Sequence, residues 1–567
     1  MKIWRINTRN HNFQKEPTPP SWQALGGRGL LAQIMVDEVD PTCWSLGAHN
    51  PLIFAPGLLV GHRLSSCDRI SIGGKSPLTQ GIKESNAGGR TGLQLTQLGI
   101  KALILEDQPQ DDEWWILHLS AAGVHFEPAA DLAGRGVYET APPLLERFGH
   151  KSAIVLIGPG GEMGLSAAGI QNVDKDGVPS RIAARGGLGA LMGSKRLKAI
   201  VIDASQGEPP PITDKAAFRQ AQKKYNKALM AHPQTQTFTD YGTSAMTHMC
   251  NTMGAMPTRN FSSGQFEGAE KISGEHLRQL MLDRGGESNT SHACMAGCTI
   301  RCSNVFGGED GRTIVSPLEY ETIGLMGSNL GIDHLDDIGR LNWEVNDLGL
   351  DSIEIGAALG VAAEAGLLSF GDAPRALELL NEIRAGTPLG RILGSGAVTT
   401  GRIYNVERVP AVKGQAMSAY EPRVIKGTGV TYATSPQGAD HTCGLTIRAK
   451  VDHQDPNIQV PLSFKSQLNN AGYDTLGACV FAGYGFAAAP GTLKELLEAR
   501  YGHAFPDDLL QSLGRRTIRL ERQFNQAAGF TAADDRLPIW MTREAVSPVN
   551  SVFDVSETEL DGIFADL

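Results

Sequence analysis

The sequence has no apolar run near the roughly 18 residues that a helix needs to cross a bilayer, which excludes a helical membrane span. It has no biased tract long enough to read as disorder. No segment carries the glycine fingerprint of a dinucleotide-binding turn. Gly73-Gly74-Lys75-Ser76 is no phosphate loop either, because Arg69 stands where the first glycine is required. Positive charge is in deficit: 51 Lys and Arg against 61 Asp and Glu leave a net −10, which argues against a nucleic-acid or membrane-surface binder. No internal repeat is evident. Residues 1–7 read as a strand rather than a secretory leader, so the expected location is cytoplasmic. Cysteine is scarce, eight in 567 residues, and in a reducing compartment such thiols stay free to act as ligands.

The chain is too long for one hydrophobic core. Glycine is abundant: 67 residues, about 12% against roughly 7% on average. The excess falls in particular loops, including Leu25-Gly26-Gly27-Arg28-Gly29, Asn86-Ala87-Gly88-Gly89-Arg90, Gly158-Pro159-Gly160-Gly161 and Arg185-Gly186-Gly187-Leu188-Gly189. Such loops let backbone N–H groups approach a large anionic or pterin-like ligand, although each alone is also an ordinary tight turn. Residues 1–206 read as mostly β, with strands expected at 4–7, 101–106, 153–157 and 199–202. Three prolines at 209–211 mark a linker. Asp214 or Thr213 then caps a helix running to about 231. Helical periodicity dominates onward to about 410, and again at 492–500 and 509–527. The fold class expected is α+β, with a β-rich base of residues 1–206 followed by two mainly helical domains, 207–412 and 413–567.

Chemistry concentrates at Cys294, Cys298 and Cys302, three of the eight cysteines within nine residues, with Cys479 far downstream. Three close thiolates and one remote thiolate suit an iron–sulfur cube. Zinc and buried free cysteines are the competing readings. The second gap holds three residues, not the two of a radical-SAM motif.

Several further stretches, in order, resemble the aldehyde ferredoxin oxidoreductase family of tungsten- or molybdenum-pterin enzymes. They are Ser65-Ser66-Cys67-Asp68-Arg69, Ser85-Asn86-Ala87-Gly88-Gly89, the 157–162 and 184–195 loops, Pro317-Leu318-Glu319-Tyr320-Glu321, Gly349-Leu350-Asp351, the 433–441 segment ending in His441, and Asp474-Thr475-Leu476-Gly477-Ala478-Cys479. The resemblance spans nearly the whole chain. It implies a β-rich base under two pterins, with Arg69, Asn86, Gly88, Ala184 and Arg185 near pterin and phosphate. Asp351 and Asp474 would each contact one pterin ring, with Ala478 beside the second. Asn86 and a carbonyl near Ala184 would hold a Mg²⁺ bridging the phosphates. Cys294, Cys298, Cys302 and Cys479 would ligate one [4Fe–4S] cluster, although Cys294 and Cys298 stand one residue further apart than is usual for the family; Gly297 is the residue expected to absorb the insertion. Tungsten or molybdenum itself would have only pterin sulfurs as ligands.

Glu321, or its neighbour Glu319, and His441 are the acid–base candidates, since aldehyde oxidation needs a group to polarise the carbonyl and another to manage a proton. Cys443 is read as core, active-site neighbour or substitute ligand. An N-cap is the bland reading of both Asp351 and Asp474. The implied activity is oxidation of an aldehyde with water to an acid, with electrons leaving through the cluster to ferredoxin or a similar carrier, in a homodimer. Two alternatives stand: the same cofactors acting on an aromatic ring or a specialised carbonyl, or a metal-poor structural or electron-transfer subunit.

Overall fold

The structure is a computed structural model describing residues 1–567. Its first 203 residues form two six-stranded sheets. The first contains β1 (Lys2–Asn7), β2 (Phe13–Pro17), β3 (Leu52–Pro56), β4 (Ile70–Lys75), β5 (Ile82–Ala87) and β6 (Ile100–Glu106), in the order β2-β1-β6-β3-β4-β5. The second contains β7 (Trp115–Ser120), β8 (Gly123–Pro128), β9 (Ala153–Leu156), β10 (Ile170–Val173), β11 (Pro179–Ala183) and β12 (Leu197–Asp203), in the order β11-β10-β9-β12-β7-β8. Advancing every label of the first sheet by six reproduces the second. The one parallel pairing in each, β1 with β6 and β7 with β12, also corresponds.

Helices fall at equivalent places too. Gly27–Glu38 and Val137–Phe148 follow the first hairpins, and Thr91–Gln97 and Leu188–Ser194 precede the last strands. The base is therefore a duplication, contrary to the expectation of no internal repeat. The halves share topology and turn positions rather than residues, so residue matching does not find the repeat. It also holds more helix than the mostly-β reading allowed.

Strand alternation fixes how the sheets stack. Leu103 and Leu105 of β6 face a core shared with Leu117, Leu119, Val155 and Ile200 of the second sheet, while Ala102 and Ile104 face the opposite way, into a core shared with helices. Side chains of period two thus build a sandwich. Helices Gly27–Glu38 and Leu509–Ala527 cover the outer face of the first sheet, and Val137–Phe148 covers that of the second.

Beyond the prolines, Asp214 caps Lys215–Ala231 by accepting from Ala216 and Ala217 N–H groups, as expected. This helix buries Phe218, Ala221, Tyr225 and Leu229, spaced three or four residues apart on one face, against the same core as Leu496 and Phe486. Most of the remaining helices share a separate 66-residue core. Leu335–Asp347, Ser352–Glu364 and Ala373–Ala385 fall within the stretch expected to be helical to about 410, and Thr492–Tyr501 and Leu509–Ala527 lie close to their expected positions. The three-stranded sheet β13 (Asn289–His292), β14 (Ser303–Gly307) and β15 (Thr313–Val315) interrupts the region read as helical. Helix Gln459–Leu476 was also not anticipated, and it corrects one reading: Asp474 lies in its last turn and is not an N-cap, whereas Asp351 is one, accepting from Ile353 N–H at 2.9 Å. No helix is long and apolar enough to cross a membrane.

Candidate active site and cysteine centre

Each half of the base carries one aspartate motif on its surface. After β3, Leu58 and Leu59 N–H groups donate to Thr475 and Leu476 carbonyls, and Arg69 N–H donates to Gly477 O. After β9, Gly160 N–H donates to Leu348 O, Gly169 N–H to Gly349 O, and Asp351 N–H to Ala167 O. The approach is too close for any side chain at Gly57, the first residue past β3, or at Gly158, the second past β9. A β-carbon on Gly57 would lie 2.0 Å from Gly477 N, and one on Gly158 2.4 Å from the Leu348 carbonyl carbon. Duplicated turns therefore present Asp474 and Asp351 at equivalent places.

The two aspartates are held differently. Asp474 accepts from Asn86 Nδ2 at 3.1 Å and from Arg28 Nη1 at 3.2 Å. Arg28 is itself buried and donates to both carboxylate oxygens of Glu521, at 2.7 and 2.9 Å. Asp351 has Arg185 Nε 2.9 Å from Oδ2. Burial pushes both aspartates above the usual carboxylate range, and the neighbouring arginines oppose that shift.

Cys294, Cys298 and Cys302 lie between β13 and β14, and Cys479 follows the Gln459–Leu476 helix through Gly477 at φ 74°. Gly297 takes φ 82°, with its absent β-carbon only 2.8 Å from Arg63 O, so the residue expected to absorb the lengthened gap does sit in a glycine conformation. Cys479 N–H donates to Ser66 O at 2.7 Å, and Ser66 Oγ lies 3.5 Å from Cys298 Sγ. A β-carbon on Gly88 would lie 3.1 Å from Cys294 Sγ. All four thiols line one cavity of about 450 Å³.

No three of these sulfurs converge as closely as Asp174, Asp176 and His292, whose ligand atoms all lie within 4.8 Å of one another. Four thiolates around one zinc at about 2.3 Å would stand about 3.8 Å apart. The donor set fits a polynuclear cluster better than a single ion. Hydrogen bonds from Cys294, from Ser66 and from nearby backbone N–H groups hold the Cys298 thiol low, while burial and the neighbouring thiols push Cys302 well up. A cationic centre would relieve that crowding of thiolates.

Arg69, Gly88, Ala184 and Asp351 line the same cavity as the cysteines. So do Glu321 and His441, which approach each other to 3.3 Å between Oε1 and Nε2. Glu321 Oε2 accepts from Ala419 N–H at 2.9 Å. His441 Nδ1 lies 2.7 Å from Ser418 Oγ, which also accepts from Arg185 Nη1 at 3.1 Å. The arrangement that uses every donor has Ser418 O–H donating to Nδ1, which leaves Nε2–H directed at Glu321. Glu319 is separated from this pair: its carboxylate accepts from Thr243 and from Ser303 Oγ, and it raises the pKa of Cys302.

The whole-chain comparison agrees with this architecture. Residues 3–204 match the family model for the aldehyde ferredoxin oxidoreductase N-terminal domain, and residues 220–560 match the model for domains 2 and 3 of that enzyme. The chain belongs to the aldehyde ferredoxin oxidoreductase family. Tungsten-containing aldehyde ferredoxin oxidoreductases of Thermococcus kodakarensis and Pyrococcus furiosus are each 32% identical to it over 543 residues, covering 91% of this chain and 86% of theirs. The WOR-like subunit of an aliphatic sulfonate oxidoreductase of P. furiosus is 27% identical, covering 88% and 81%. The BamBC active-site complex of benzoyl coenzyme A reductase, solved with 1,5-dienoyl-CoA, shares the fold at a TM-score of 0.81 and 18% identity, over 99% of this chain and 93% of that one. As a member of this family the chain is an oxidoreductase.

Against the family's expected site, four residues stand off the cavity wall. Arg185 is buried and faces Asp351, Ser418 and the carbonyls of Ala416 and Ala439, partners that offset the cost of burying its charge. Asn86 bridges Arg69 and Asp474. Asp474 is tied to Arg28, and Ala478 is packed in the core under Cys479. Cys443 is buried, with Arg28, Lys83 and Asp440 as its charged neighbours, and does not line the cysteine cavity. The reading of the sequence missed the Arg28–Glu521 pair, the Lys83–Asp440 ion pair at 2.7 Å, Ser418 and Arg448. Arg28 lies in the glycine-rich 25–29 loop and Asp440 in the 433–441 segment, whereas Glu521 and Arg448 carry no local signal.

Proposed function

We propose that the chain binds a tungsten or molybdenum bis-pterin and one [4Fe–4S] cluster, and oxidises an aldehyde with water to a carboxylic acid. The balance is RCHO + H₂O → RCOOH + 2 H⁺ + 2 e⁻, the electrons passing singly to ferredoxin or a similar carrier. One observation carries the reading. Four cysteines from two remote segments share a cavity with Arg69, Gly88, Asp351 and the Glu321–His441 pair. The family's tungsten-containing relatives support the choice of metal.

Asp351 and Asp474 would hold the pterin rings, Arg69 the phosphates, and Asn86 with a carbonyl near Ala184 a bridging Mg²⁺. Cys294, Cys298, Cys302 and Cys479 would ligate the cluster. The bound metal–pterin supplies the two-electron redox chemistry. The protein's own contribution is positional. His441 Nε2–H is fixed by Ser418 behind it, so it can donate to a substrate carbonyl, and Glu321, anchored by Ala419 N–H, can hold the proton released as water adds.

The test is metal analysis on protein purified without oxygen from cells supplied with both metals. The expected content is about one tungsten or molybdenum and about four iron per chain, with viologen-coupled aldehyde oxidation. Zinc alone, or iron without tungsten or molybdenum, would overturn the proposal.

A further inference from the structure

Three arginines line the cavity: Arg69, Arg181 and Arg448. Two are committed. Arg69 is bound to Asn86 and is the residue assigned above to the pterin phosphates, and Arg181 donates to Ser303 Oγ at 2.8 Å with its other terminal nitrogen 3.0 Å from His292 Nδ1. Arg448 has no carboxylate within ion-pair distance. It donates to Tyr484 Oη, and its second terminal nitrogen meets only the Met246 thioether, at 3.6 Å. A guanidinium carries five N–H donors, so most of those on Arg448 lack a protein acceptor.

Aromatic rings nonetheless flank it. The guanidinium lies 4.6 Å from the ring centroid of Phe238 and 5.4 Å from that of Phe481, cation–π contacts that hold a charge without neutralising it. Its charge is felt on the acid–base wall and also at Tyr484, which in turn feels Cys479 and Cys302. Arg448 favours the ionised forms of Tyr420, whose ring is 5.8 Å from that of His441, and of Cys250, which also feels Glu321. The leading cationic influence on Cys294 and Cys302 is instead Arg181, and on Cys479 it is Arg69. Thr442 and Asn470 add polar groups to the same wall.

We propose that Arg448 is a specificity-determining residue that binds an oxyanion on the substrate, so that this chain prefers aldehydes carrying a carboxylate or similar anionic group distal to the reacting carbonyl. The chemistry is that of bidentate guanidinium–oxyanion pairing in a partly desolvated site. The inference rests on the aldehyde-oxidising reading above.

The experiment uses the metal-loaded full chain and compares kcat/KM for 4-oxobutanoate with that for butanal. The wild type is expected to favour the anionic substrate at least 30-fold. Arg448→Gln should collapse the ratio at least tenfold, and Arg448→Lys, which keeps the charge but loses the fork, should fall between. Succinate binding measured calorimetrically should weaken at least tenfold in Arg448→Gln. A wild-type ratio at or below one, or a ratio unchanged in both variants, overturns the proposal. A shifted cluster midpoint potential with an unchanged ratio would assign Arg448 to the cluster instead, and also overturns it. Arg448→Lys and the wild-type ratio decide the matter if Arg448→Gln does not fold. Oxidation of neither aldehyde, with succinate still bound through Arg448, would refute the activity reading and leave the anion site standing.

Discussion

Removing Arg28 tests whether one buried charge network holds the Asp474 motif to the base. Arg28 is 2% exposed and Glu521 1%. The guanidinium donates to Glu521 at 2.7 and 2.9 Å and to Asp474 at 3.2 Å, joining helix Gly27–Glu38 to helix Leu509–Ala527 and to the last turn of Gln459–Leu476. Arg28→Met leaves Glu521 with only Gln437 Nε2, at 2.6 Å, to answer a full buried charge. Breaking such a pair from one side costs about 3–5 kcal/mol, while replacing both partners by apolar groups is often neutral. With an unfolding entropy of roughly 2.1 cal/mol/K per residue, a 4 kcal/mol loss lowers the Tm of a cooperative unit this long by about 3 °C. Arg28→Met with Glu521→Met should restore at least half of that. The assay is thermal unfolding of the two single variants and the double, compared as a cycle. An Arg28→Met protein within 1 °C of the wild type, or a double variant no better than the single, would refute the reasoning.

Other consequences follow from the same geometry. Gly158→Ala places a carbon 2.4 Å from Leu348 and should cost about 1–3 kcal/mol of overpacking, with lowered tungsten or molybdenum content as the 348–351 segment shifts; wild-type metal content and Tm would contradict the docking. Glu321→Gln and His441→Gln should each lower kcat about 10²- to 10⁴-fold with iron content retained, measured by viologen-coupled turnover and metal analysis. Cys294→Ser should lower iron per chain and Cys443→Ser should not, since only the first lines the cysteine cavity; the reverse result would exchange their roles. Lys195, fully buried, has its pKa pushed down to about 7 by burial. The unfolded chain keeps it protonated to near pH 10.5, so above pH 7 the unfolded state binds more protons and this group's contribution to stability rises with pH. The Tm of the wild type relative to Lys195→Met should therefore increase from pH 7 to 9, and parallel profiles would count against it.

What could be read in the sequence, and what could not, divides along a physical line. Local signals served well. Asp214 capped its helix because a short carboxylate can satisfy two free N–H groups, and the helices around Leu341, Leu379 and Leu513 showed their buried faces as spacing. Glycine also wrote its constraints locally, since positions such as Gly88 and Gly297 are forced by close approach or by positive φ. Helix Gln459–Leu476 escaped because Pro461 and a run of polar residues blur its start and its period, so Asp474 looked like the beginning of a helix when it was nearly the end of one. The duplicated base escaped for a different reason. Gly88-Gly89-Arg90 after β5 and Ala184-Arg185-Gly186-Gly187 after β11 occupy matching turns, and each half meets its own aspartate motif, yet Arg28 with Asn86 steadies one carboxylate where Arg185 steadies the other. Topology repeats while the charge solution does not, because each half must neutralise different buried neighbours. Partners such as Arg28 and Glu521, 493 residues apart, leave no mark on local spacing. Their pairing becomes visible only when folding removes both from water and makes an unpaired charge too costly to tolerate.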